Sequence, residues 1–463
     1  MKKLIFLSFL CLAGCTVGPD YRAPERDPKP EWDNHFAEIV SQEAPVDAWW
    51  SQFGDPLLVT LLEDAANHNP NVKMAEARIR EARAQSRIAY ARALPSVDAS
   101  AGYERSRLSE NSQFGRFPGI ELTQDNYQVG FDARWELDLW GKERRRREAA
   151  EAAVTSTLFS AKDVMIRIYA EVARAYTVMR GTDHRIRLLE ENIALQGRTL
   201  ETIRKLVDGG QEDRSAVIRA EALLRQVRAQ LPALRANRRA AAYSIAVLTG
   251  REPGALLEQL QPRQDLYQIP DMVRAGLRSD LLKRRPDIRM AERRLAASTA
   301  EIGVAVADLY PSVGLTTFAG MAGTQSGSLL DAASGNWAVS PSIRLPLFDR
   351  GRLRALVEVE RAQAESALYA YEQTVLGAFL EVETGLTRYG AALATRIELR
   401  EAAEVTTEAL RLTRLRFEAG EDDLLDLLDA QRQLVETQDR LASAEQEVRT
   451  ELVAVYKALG GDW

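Results

Sequence analysis

The 463-residue chain has very little of what metal and redox chemistry requires. Its three histidines, His35, His68 and His184, share no helical spacing, so they do not suggest a histidine-built metal site. Its two cysteines, Cys11 and Cys15, rule out a disulfide framework. Aromatic residues are only 7%, which suits long solvated helices better than a compact core. There is no nucleophile–base set and no phosphate loop, and Gly323–Gly327 (GTQSG) lacks the spacing of a nucleophile elbow, so an enzyme is not indicated. A net charge of −6 gives no support for a nucleic-acid partner. Proline is absent from two stretches of 66 residues, Lys142–Val207 and Arg352–Phe417.

What is present begins with a leader. Lys2 and Lys3 precede an apolar run, Leu4–Leu12, too short to span a bilayer, which makes residues 1–14 a signal peptide. Leu12-Ala13-Gly14-Cys15 resembles the bacterial lipobox, which implies S-diacylglycerol and N-palmitoyl groups on Cys15. A plain secretory signal is the alternative. Thr16, where an aspartate would imply inner-membrane retention in lipoproteins, points to the outer membrane. Residues 15–69, rich in proline and tryptophan, read as an extended arm ending in Trp49-Trp50 and a short helix.

Four stretches alternate with period two. In Tyr127–Leu139 the odd positions Tyr127, Val129, Phe131, Ala133, Trp135, Leu137 and Leu139 are apolar, while Asp132, Arg134, Glu136 and Asp138 are polar. Successive strand side chains point to opposite faces, so this is a strand with one oily and one wet side. Strands are expected at about 96–105, 126–140, 312–321 and 337–348, separated by polar loops. The wet face, with Asp132, Arg134, Glu136 and Asp138, is expected to line a water path.

Helices account for most of the remainder. The long ones are expected at 142–207 and 352–417, roughly 100 Å each at 1.5 Å per residue. Shorter ones are expected at 71–94, 212–248, 287–310 and 422–459. Apolar spacings of three and four, as in Leu427, Ala430, Leu434, Thr437 and Leu441, mark helices that pack in pairs. Asn69–Glu76 matches Arg285–Glu292 at an offset of 216, and Gly210 matches Gly420 at an offset of 210. The chain is therefore read as two repeats, 70–248 and 286–459, joined by a linker over 249–285.

A bundle of helices would explain the heptads but not the strands. Inside a membrane every strand edge must be paired, and four strands cannot close a barrel. Two copies give eight strands and a filled interior; three give twelve and a water-filled passage, which the polar inner faces favour. The expected fold is a mixed α and β membrane protein: a trimeric 12-stranded β-barrel continued by a coiled-coil α-barrel.

Several motifs then converge: Cys15–Tyr21 (CTVGPDY), Trp49-Trp50 with Phe53 and Asp55-Pro56, Arg284–Asp287 (RRPD), Pro311–Val313, Arg416-Phe417 with Gly420, and Leu427–Arg432 (LLDAQR). In this order they resemble the outer membrane factors of Gram-negative bacteria. These are TolC-like exit ducts, and the likeness is to their lipoprotein branch, the OprM and NodT type. The resemblance implies a homotrimer in the outer membrane, docked to a periplasmic membrane-fusion adaptor and an inner-membrane pump of the proton-driven RND type. It implies passive conduction of solutes in efflux, with no cofactor beyond the lipid on Cys15.

Two places are candidates for function. The helix turns at Gly209-Gly210 and at Phe417–Gly420 suit an adaptor contact, or are simple hairpins whose glycine takes positive φ. Asp426 and Asp429, three apart, share a helix face, and in a trimer they would stack as two carboxylate rings. The resemblance makes these rings the periplasmic gate; a solvated acidic face is the alternative. Arg144–Arg147 suggest headgroup contacts mixed with salt bridges and no specific site. The competing functional class is a non-conducting scaffold lipoprotein of the envelope.

Overall fold

The computed structural model describes residues 16–26, 29, 31–32, 40–41, 43, 48–113, 119, 121–261, 266–270 and 272–461. The leader, Cys15 and much of the arm lie outside the described residues. The chain divides into two compact units. The first holds residues 79–157 and 290–371 with the N-terminal 1–25; the second holds 26–78, 158–289 and 372–463.

The helices α1 (Pro56–His68) and α2 (Pro70–Arg92) lead into strands β1 (Ser96–Arg107) and β2 (Thr123–Leu137). Next come the 67-residue α3 (Lys142–Asp208), then α4 (Arg214–Arg228) and α5 (Leu231–Leu248). After α6 (Arg278–Arg284) and α7 (Pro286–Ala307) come β3 (Ser312–Gly323) and β4 (Gly335–Arg344). The 68-residue α8 (Arg352–Ala419) and α9 (Leu424–Ala458) complete the chain. No described helix is long and apolar enough to cross a membrane.

Most expected boundaries shift by one to three residues, and three differences bear on the site. The expected helix 212–248 is two helices, because Pro232 near the start of α5 has no N–H to continue the ladder. Strand 337–348 stops at Arg344, leaving Leu345, Leu347 and Phe348 exposed beyond it. Strand 126–140 stops at Leu137, so Asp138 and Leu139 are not strand residues.

In the first unit the strands form one antiparallel sheet in the order β1-β2-β3-β4. The pairing keeps strict parity: Ala99 faces Phe131, Phe131 faces Ala319, and Ala319 faces Trp337. Odd-numbered residues of all four strands therefore share one face, with no slip of register. That face is largely apolar and unburied, with Phe131 62%, Trp337 75% and Ile343 75% exposed. The other face carries Asp98, Ser100, Gln128, Asp132, Arg134, Glu136, Ser340 and Arg344. Among the described residues, β1 and β4 have no partner on their outer edges.

The second unit is mainly helical, with one short parallel strand pair, Val40–Ser41 beside Val273–Arg274. One apolar core joins Leu200 and Ile203 of α3, Ala216, Ala220 and Leu224 of α4, Leu410 of α8, and Leu424, Leu427 and Leu434 of α9. Buried polar groups tie it together elsewhere. Arg285 donates to Asp287, to Glu381 at 2.7 Å and to the carbonyl of Ala458, so it links the start of α7, the middle of α8 and the end of α9.

Candidate channel wall and gate

The wet face of the sheet is built by alternation and register together. Asp132 sits on a rung with Asp98 of β1 and Phe318 of β3. Ser100 donates to its carboxylate at 2.7 Å. Arg134 lies opposite Ser96 and Thr316, and Glu136 opposite Gly314. Asp132, Arg134 and Glu136 thus share one face.

Asp138 has a different position from the one expected of it. It stands in the turn after β2, and its carboxylate accepts from the backbone N–H groups of Glu143 and Arg144 at 3.1 and 3.0 Å. It caps α3, satisfying donors that the first turn of any helix leaves open. The alternation continues through Asp138 by coincidence; its capping bonds decide its position. Asp349 does the same for α8, accepting from Gly351 and Leu353.

Alternation alone does not show Phe318, the one aromatic side chain on the wet face of the four strands. Its ring covers two glycines: a Cβ on Gly130 would lie 2.7 Å from the ring, and one on Gly320 2.8 Å. The facing glycines Gly130 and Gly320 leave a bare stretch of backbone that this ring fills.

Beside the first turn of α3, the described N-terminal residues are laced down. Val17 N–H donates to the carbonyl of Trp140 at 3.0 Å, and Arg144 donates to the Thr16 hydroxyl at 2.7 Å. The buried Arg145 donates to the carbonyls of Val17 and Gly18 and to Asp20. The run Arg144–Arg147 is thus largely engaged: Arg146 pairs with Glu143, and Arg147 lies over the Tyr90 ring.

In the second unit, both helix turns use one set of bonds. At the first, Gly210 takes φ 71° and donates to Val207 O, while Gln211 N donates to Leu206 O. At the second, Gly420 takes φ 77° and donates to Phe417 O, while Glu421 N donates to Arg416 O. These are left-handed glycine caps. Gly209 keeps a negative φ, so only Gly210 requires glycine for its backbone. Asp213 and Asp423 then cap α4 and α9. Phe417 is half-buried and packs against the apolar core, so its ring is turned inward as much as outward.

Asp426 and Asp429 are both exposed on the first turns of α9, on either side of the buried Leu427. Their surroundings differ. Asp429 accepts from Arg432 at 2.5 Å and from Gln433 at 3.2 Å. The Asp426 carboxylate meets no cation among the described residues. Arg432, three residues from Asp429, was visible in the sequence as a same-face neighbour, and its spacing was the available signal.

A sheet with one apolar face, long helices in pairs and acidic helix turns narrows the comparison with known proteins. The model of the outer membrane efflux protein family matches residues 61–251 and 277–461. The chain belongs to this outer membrane efflux protein family. Nodulation protein T of Rhizobium leguminosarum bv. viciae is 32% identical over 457 residues, covering 98% of this chain and 92% of that protein. The solvent efflux pump outer membrane protein SrpC of Pseudomonas putida is 31% identical over 473 residues, covering 100% and 98%. Among solved structures, the outer-membrane channel OprN superposes with a TM-score of 0.90 at 34% identity, covering 97% of this chain and 100% of that one. Family members are efflux channels rather than enzymes.

Proposed function

We propose that this protein is the outer-membrane exit duct of a tripartite efflux system. The observation that carries the reading is the four-stranded sheet, with one oily face in register across every strand and two open edges. Neither feature is stable in a lone chain within a membrane, where unpaired backbone groups are costly. Three copies supply twelve strands and close a barrel around the face that carries Asp132, Arg134 and Glu136. The long helices continue the passage into the periplasm. The lipid on Cys15 anchors the chain in the outer membrane.

The turns at Gly210 and Gly420 meet a periplasmic membrane-fusion adaptor, which couples the duct to an RND-type inner-membrane pump. Asp426 and Asp429 form rings that narrow the periplasmic mouth and favour cations. The duct supplies no energy of its own: the pump loads solute and the barrel releases it. SrpC is named for solvent efflux, and apolar toxic compounds are accordingly the first cargo class to test.

The deciding measurement uses the detergent-extracted protein. Its mass by light scattering is expected to be three times that of the chain, and it is expected to open ion-conducting pores in planar bilayers. A monomer that never conducts would leave the scaffold reading in its place.

A further inference from the structure

The seam between α3 and α9 has a polar break within its apolar packing. The two helices run antiparallel. Asn192 Nδ2 donates to Gln438 Oε1 at 3.0 Å, and, seven residues along, Gln431 Nε2 donates to Thr199 Oγ1 at 2.8 Å. Between these ties Gln196 is 3% exposed, and neither Oε1 nor Nε2 has a partner among the described residues. Oε1 of Gln431 is also buried without a partner. The ties place Gln196 level with Leu434, so an amide faces a leucine. Leaving such a group unmatched is costly, and replacing it with an apolar side chain would remove the penalty.

Two further features mark the same place. Gly197, next to Gln196 within α3, has open space where a side chain would stand, so packing does not account for a residue that loosens a helix. A cavity of about 60 Å³ lies beside it, lined by Thr199, Thr202, Phe417, Leu427 and Gln431.

We propose that this seam is a two-register joint, in which α9 steps one turn along α3. The step exchanges the Gln431–Thr199 bond for a reciprocal amide pair between Gln431 and Gln196. Three residues correspond to about 4.5 Å at 1.5 Å per residue. Apolar contact survives the move, since Leu427 and Leu424 become level with Leu200 and Ile203. The step draws Asp426 and Asp429, which precede Gln431 on α9, away from the Gly210 end of α3 by the same distance. The Asn192–Gln438 bond holds the present register and is released by the step. Packed helices have discrete arrangements, so one-turn steps are a natural unit of motion.

The inference rests on the reading of Asp426 and Asp429 as the gate, and the test separates the two. Cysteines are placed at Gln196 and Gln431 in the full-length trimer in liposomes, and a mild oxidant is added. Out of level by three residues, about 4.5 Å along the axis, this pair is farther apart in the present register than after the step. An intrachain disulfide is expected, and more of it when Asn192→Ala is added; no disulfide in either background overturns the joint. In planar bilayers Gln196→Leu is expected to reduce openings roughly tenfold, because it stabilises the present register and deletes the alternative partner. Unchanged openings also overturn the joint. Asp426→Ala with Asp429→Ala reports separately, through ion preference, on whether the carboxylates are the gate.

Discussion

Tyr176 of α3 donates its hydroxyl to Asp55 at 2.6 Å, and both side chains are buried. Asp55 is thereby used twice: its other oxygen caps α1 through the N–H groups of Leu57 and Leu58. Arg180 donates in turn to the Tyr176 hydroxyl at 3.0 Å, and Arg238 donates to Asp183 at 2.6 Å. Burial, and then the bond to Asp55, push the Tyr176 hydroxyl well above its ordinary pKa, so it remains a donor at any pH the protein meets. Tyr176→Phe removes a donor to Asp55 and an acceptor for Arg180. It should lower unfolding free energy by about 1–3 kcal/mol. Denaturant titration checks this; an unchanged midpoint would show that the network adds nothing to stability.

This relationship also shows where a sequence stops being legible. The WWxxFxDP stretch identified Asp55 as notable, but its partner stands 121 residues away and nothing local announces it. The strands were readable because period-two alternation is a local signal, and the pairing then placed every odd residue on one face. Asp138 was misread because it satisfied two local rules at once, strand alternation and helix capping, and only the backbone decides between them. The break at Pro232 was obscured by a heptad that runs straight through it, from Val227 to Leu231 to Leu234. Phe318 was unreadable for a different reason: it fills the space over two glycines on neighbouring strands. The carboxylates of α9 were found by spacing, but the inequality between them depends on where the Arg432 side chain lies.

That inequality predicts a split between the two proposed rings. Asp429 shares its charge with Arg432, while Asp426 has no such neighbour. Asp426→Ala should therefore reduce cation preference more than Asp429→Ala does. Arg432→Ala should increase it by freeing the Asp429 carboxylates. Reversal potentials in a salt gradient give the order directly. Equal effects of the two alanine variants would contradict the arrangement described for α9.

Acid should act on one cavity of the helical unit in two opposed ways. Burial raises Glu381, but Arg285 and Lys457 outweigh it and hold its pKa below the usual value. A carboxyl depressed in the folded state contributes stability above its unfolded pKa of about 4.3 and loses it as pH falls through the folded value. Asp163, lining the same cavity of about 560 Å³, is raised instead, chiefly by burial and against the pull of Arg167. Its contribution is present below the unfolded pKa and is lost as pH rises through the folded one. Glu381→Gln should flatten the loss of thermal stability between about pH 5 and pH 3, and Asp163→Asn should steepen it. Melting curves across that range test both signs, and parallel curves for the two variants would contradict the assignment.

Phe131 and Asp132 are neighbours in β2 and point to opposite faces, so they test the barrel reading with the least change of position. Phe131 is 62% exposed on the face shared with Ala99, Ala319 and Trp337, the face that meets lipid in the proposed trimer. Placing a basic residue on that face at mid-membrane costs about 2–4 kcal/mol per chain, and three chains carry it. Phe131→Arg should therefore reduce the yield of folded trimer. Asp132→Lys should assemble at close to the normal yield, since its side chain points into the water path of the proposed trimer, but should shift ion preference toward anions. Spin labels give an independent reading: oxygen should broaden the signal from position 131, and a water-soluble nickel chelate the signal from 132. Equal accessibility of both positions to oxygen would show that the sheet does not present one face to lipid, and the closed trimeric barrel would fall with it.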